Sequence, residues 1–109
     1  MRSDIQYITE TLSPAARWGQ LAEECCELAQ VASKLQRLAM NENLPRMYMW
    51  QLKEQLKEEI ADVENALCCV EWLPNKQDIR EVRKDKMARW AVDVHKHMEE
   101  MEGKDVQKV

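Results

Sequence analysis

The chain has 109 residues, with 16 Lys and Arg against 20 Asp and Glu. The formal net charge of −4 argues against a nucleic-acid groove as the main function. Two glycines, three prolines, no phenylalanine and abundant Ala, Leu, Glu, Lys, Gln and Met point to an all-α protein, one domain over 1–109 with a single modest core.

Residues 1–13 read as a leading segment, a short helix from Ser3 to Leu12 with Ser3 as N-cap and Gln6 three residues on. Ser13-Pro14 restarts the chain, because serine caps well and proline suits the first helical position. Apolar residues then fall at Trp18, Leu21, Cys25, Leu28, Ala32, Leu35 and Ala39, a three-four repeat that predicts a long helix with a heptad seam. In that phase Glu24 and Glu27 flank the seam, at the edge of a helix–helix interface. Asn41-Glu42-Asn43-Leu44-Pro45 is the expected break. A second helix is predicted from about Arg46 to Trp72, ending before Pro74. Asn75 caps a third, with a stripe of Ile79, Val82, Met87, Trp90, Val94, Met98 and Met101. Gly103 is the expected stop, leaving 103–109 as a disordered tail.

Helices of about 27 residues are about 40 Å long. Three such rods present more apolar stripe than one subunit covers, so the expected architecture is long antiparallel helices in an oligomeric bundle, a homodimer or homotetramer. No apolar run approaches membrane-spanning length, and Met1-Arg2-Ser3-Asp4 opens no signal peptide. The expected location is cytoplasmic, with no membrane partner. Cys25-Cys26 and Cys68-Cys69 read as small, reduced, buried thiols packed where helices come close.

Glu59 breaks its own pattern. The second helix has a stripe of Met49, Leu52, Leu56, Val63, Ala66 and Val70, and Glu59 stands where the next aliphatic belongs. An unpaired buried carboxylate costs several kcal/mol, so it must be protonated, paired or metal-bound. Glu59 and Asp62 are three apart, as are Glu24 and Glu27, which puts each pair on one helix face. Crowded acids raise one another's pKa, and a divalent cation neutralises them. Carboxylate oxygens without histidine favour Mg²⁺, with Mn²⁺ as a substitute, over zinc.

The pattern Glu23-Glu24-x-x-Glu27 followed by Glu59-x-x-Asp62 resembles the signature of the MazG-like all-α nucleoside triphosphate pyrophosphohydrolases. The resemblance runs from about Trp18 to Arg89 and extends to the short phage- and prophage-type members. It implies Mg²⁺ bound by Glu24, Glu27, Glu59 and Asp62. The implied reaction cleaves a nucleoside triphosphate between its α and β phosphates, giving a monophosphate and pyrophosphate. It makes Glu23 a candidate orienter or base in the same catalytic group. Lys86-Met87-Ala88-Arg89 resembles the family's basic pair on the last helix, which makes Lys86 and Arg89 candidate phosphate contacts.

Each candidate has an ordinary alternative. Trp18 either stacks on a nucleobase or begins the seam as a core residue. Lys34 either reaches phosphate or is a solvated base late on a helix, and Lys86 and Arg89 either meet phosphate or pair with surface acids such as Glu81 and Asp85. His95 and His97 are two apart and face different directions, and no Glu-x-x-His occurs, which argues against a di-iron bundle. The competing function is a non-catalytic helical oligomerisation or interaction module of the same fold.

Overall fold

The computed structural model describes residues 1–40 and 46–107. The expected break at 41–45 and the last two residues of the tail lie outside the described residues. Four helices make up the regular structure there: α1 (Asp4–Thr11), α2 (Pro14–Met40), α3 (Arg46–Cys68) and α4 (Lys76–Gln107). The chain divides into two compact units, Met1–Trp72 with α1 to α3 and Leu73–Val109 with α4, where composition predicts one domain.

The helix starts follow local chemistry. Ser3 Oγ accepts from the Gln6 backbone N–H at 3.2 Å, and Gln6 Oε1 accepts from the Ser3 N–H at 2.9 Å, a reciprocal capping box. Ser13 Oγ accepts from the Ala16 N–H at 3.1 Å, and Pro14 opens α2 without a wasted donor. Asn75 Oδ1 accepts from the Gln77 N–H at 2.7 Å at the head of α4.

In the first unit α2 and α3 pack against each other. They run antiparallel, because Arg17 near the start of α2 bonds to Cys69 just beyond the end of α3. Among the described residues the buried apolar side chains are Val31 and Leu38 on α2, Leu52 and Ala66 on α3, and Cys69 just beyond α3. Each burial of a Val or Leu side chain contributes about 1.5–3 kcal/mol. The inward face of α2 follows Leu21, Glu24, Leu28, Val31, Leu35 and Leu38. The apolar pattern instead places Cys25, Ala32 and Ala39 on the seam; all three are exposed. Glu24 therefore occupies the interface rather than flanking it. On α3 the predicted stripe of Leu52, Leu56, Glu59, Val63 and Ala66 faces inward, with Val70 half-buried just beyond the helix, while Met49 is exposed.

Three of the four thiols also depart from expectation. Cys25, Cys26 and Cys68 are exposed and only Cys69 is buried, all of them free.

Arg17 is the one charged side chain buried among the described residues, at 5% exposure. Its Nε donates to the Leu12 carbonyl at 3.2 Å and its Nη1 to the Cys69 carbonyl at 2.9 Å. Nη2 pairs with Glu71 Oε1 at 2.9 Å. One guanidinium thus ties the end of α1, the start of α2 and the exit of α3 together. This accounts for α3 ending at Cys68 rather than running to Trp72. The Cys69 carbonyl is turned to Arg17, the Cys69 N–H closes a tight turn on Ala66 O at 3.1 Å, and Trp72 takes a left-handed φ of 63°.

The second unit is a single helix of 32 residues, about 48 Å long. It continues through Gly103, the expected stop, to Gln107. Glycine disfavours a helix interior by only about 1 kcal/mol, so a single one does not oblige an end. One helix cannot bury its own stripe, and Val82, Met87 and Trp90 are each more than half exposed.

Replacing Arg17 leaves two carbonyls without their charged donor. Arg17→Ala is expected to destabilise the protein by about 2–4 kcal/mol in urea unfolding. Glu71→Ala is expected to cost less than about 1 kcal/mol, because its carboxylate is 45% exposed.

Candidate metal centre

The antiparallel register of α2 and α3 brings the two acid pairs face to face. One carboxylate oxygen from each of Glu24, Glu27, Glu59 and Asp62 can be chosen so that all lie within 4.8 Å of one another. Glu24, Glu27 and Glu59 are half-buried and Asp62 is exposed, so the cluster is open on one side. On each helix the two acids are three residues apart, on one face and one turn apart.

The polar accounting leaves a vacancy in the bonding. Oε2 of Glu24 and Oε2 of Glu59 are buried without a hydrogen-bond partner. A buried acceptor with no donor is unfavourable by about 1–3 kcal/mol, and more when charged. The other Glu24 oxygen, Oε1, accepts from Gln20 Nε2 at 2.6 Å, which fixes that carboxylate from one turn away. The negative charge of the Glu24 carboxylate beside Glu27 holds the Glu27 carboxyl above the usual carboxylate range. Partial desolvation and the carboxylate of Glu59 act in the same direction. Oxygen-only donors, two of them orphaned, fit a hard divalent cation such as Mg²⁺ or Mn²⁺.

The remaining candidates lie elsewhere. Glu23 is exposed on α2 beside the cluster but is not one of the four. Trp18 is half-buried, with its indole Nε1 buried and unpartnered. Lys34 is half-buried two turns beyond Glu27. Lys86 and Arg89 are exposed on α4, in the second unit.

Sequence reasoning misses Gln20, Arg17 and Asn65. These three line a cleft of about 300 Å³ in the first unit, with Glu24 and Asp62 at one side and Ile8, Leu12, Ala66 and Cys69 forming its apolar walls. Gln20 had a signal, a polar side chain four residues before Glu24 on one helix face. Compared with models of known protein families, with curated proteins and with solved structures, the chain matches none.

A raised Glu27 pKa means that the folded state keeps a proton which the unfolded chain releases near the ordinary value of 4.5. The contribution is present below that pH and is lost as pH rises through the folded pKa. Thermal melts in chelator should therefore show apo stability falling toward neutral pH. Glu27→Gln should flatten that slope; an unchanged slope would place its cause outside the cluster.

Proposed function

We propose that the protein is a Mg²⁺-dependent nucleoside triphosphate pyrophosphohydrolase of the MazG-like all-α kind, converting a (d)NTP to the (d)NMP and pyrophosphate. The observation that carries this reading is the meeting of Glu24, Glu27, Glu59 and Asp62 with two buried, unpartnered carboxylate oxygens. A fold needing only helix–helix packing gains nothing from that cluster, whereas a cation-dependent phosphate chemistry requires it. The motif order quoted above supplies the reaction class.

In this reading Glu24, Glu27, Glu59 and Asp62 would hold the cation, and Gln20 keeps Glu24 turned toward it. Bound there, the ion supplies charge compensation for the triphosphate and a lower pKa for the attacking water. The water's oxygen bonds to phosphorus, the α–β phosphoanhydride breaks, and pyrophosphate leaves. Glu23, exposed and adjacent in sequence to Glu24, is the candidate to orient the water or take its proton. Lys34, Trp18, Lys86 and Arg89 remain candidate substrate contacts.

We also propose that the active form is a homodimer or homotetramer in the cytoplasm, without nucleic-acid or membrane partners. Among the described residues no helix is long and apolar enough to cross a membrane. The apolar stripe of α4, with Ile60 and Leu67 two turns apart on α3, is left open at 37–64% exposure. A second reading, a non-catalytic oligomerisation module, uses the same open stripes but leaves the acid cluster without a purpose.

Two measurements test these proposals. Pyrophosphate release from a panel of nucleoside triphosphates should require Mg²⁺ and be abolished in Glu59→Gln. That variant should stay folded, because removing one of four repelling charges relieves the apo cluster. Light scattering should give a mass at least twice the 12.9 kDa of the chain; a folded monomer at micromolar concentration would remove the oligomer.

A further inference from the structure

We propose that the cleft beside the acid cluster seats the nucleoside end of a cation-bound nucleotide, and that α1 is the wall that selects its base. This rests on the cation-dependent nucleotide reading and adds to it which part of the chain touches the base.

The two sites are continuous. Glu24 and Asp62 belong to the acid cluster and also line the cleft. An anion bridged to the protein at the acids therefore has a concave, partly apolar surface directly beside it. Ile8 of α1 and Leu12 just after it remain 36% and 43% exposed, apolar surface available to a flat ring. Ala66 on the opposite side is small enough to leave room. Besides the two acids and Arg17, the polar groups are the amides of Asn65 and Gln20, each with a donor end and an acceptor end. Gln20 gives one of its two amide hydrogens to Glu24 and is held beside it, so Asn65 is the amide assigned to read the ring edge. An apolar slot with a few placed polar groups is the usual form of a small-molecule site.

Size narrows the occupant. About 300 Å³ lies at the lower end of small-molecule pockets, suited to one nucleoside rather than a polymer. Arg17 also borders the cleft, but its Nε, Nη1 and Nη2 are each bonded to protein oxygens. Its role is to frame the cleft. By holding the Leu12 carbonyl it fixes the end of α1 against α2, so the apolar wall is set before any ligand arrives.

The test is calorimetric titration with Mn²⁺ present, comparing inorganic tripolyphosphate with α,β-methylene nucleoside triphosphates of the four common bases. The wild-type protein is expected to bind at least one nucleotide analogue tenfold or more tighter than tripolyphosphate. Ile8→Trp, which fills the slot from its mouth, should bring that analogue to the level of tripolyphosphate. Tripolyphosphate and Mn²⁺ binding should not change. Asn65→Ala should alter the order of preference among bases. Where Ile8→Trp fails to fold by circular dichroism, the Asn65→Ala order decides alone, and an unchanged order overturns the proposal. A wild-type protein that binds Mn²⁺ but holds no analogue tighter than tripolyphosphate also overturns it, leaving the cation site intact. A protein that binds no Mn²⁺ at all fails the cation reading first and this proposal with it. Loss of oligomeric mass in Ile8→Trp would mark the cleft as a seam between copies, and would overturn it too.

Discussion

Four carboxylates held with oxygens within 4.8 Å of one another repel, and everything in the first unit has to hold them together against that repulsion. The fully buried apolar residues are few, and three of the four acids sit half-buried among them. Two of their oxygens find no donor among the described residues. Such an arrangement is unfavourable for folding alone. A bound cation would convert the same geometry from a liability into a source of stability, because ligand binding to the folded state shifts the folding equilibrium by mass action.

The supports are arranged along the same helix pair. Val31 and Leu38 pack deeper along α2 than the acids, and Arg17 closes the opposite end by tying the α1–α2 junction to the exit of α3. Gln20 lies between, one turn from Arg17 and one from Glu24, and removes one rotational freedom from that carboxylate. The acids are thus fixed from both sides along the helix axis, by apolar packing and by a buried guanidinium. A site held this way keeps its geometry without the ion, which lowers the ordering cost of binding.

What was legible in the sequence was mostly local. The Ser3–Gln6 capping box, the Ser13-Pro14 start and the Asn75 cap each depend on residues within three positions, and each stands where the pattern puts it. Glu59 was legible because it interrupts an apolar stripe whose other members are unambiguous. Glu24 was legible as a candidate ligand but not as part of the interface, because the apolar pattern passes through Cys25 and the phase of α2 slips by one residue. Hydrophobic periodicity reports where apolar residues recur, so it misplaces a face that buries Arg17 and half-buries Glu24 and Glu27. The end of α3 and the cleft wall from α1 were beyond reach for another reason. The end of α3 depends on Arg17 meeting Cys69 and Glu71, more than fifty positions away, and the α1 wall on the same guanidinium holding the Leu12 carbonyl; apolar periodicity encodes neither contact.

Anomalous diffraction from crystals grown with Mn²⁺ would show whether the acid cluster holds a divalent cation. A peak is expected between Glu24, Glu27, Glu59 and Asp62, with carboxylate oxygens at about 2.0–2.3 Å. A protein crystallised in millimolar Mn²⁺ with no peak between these four residues, or with its metal held elsewhere, would contradict the cation reading.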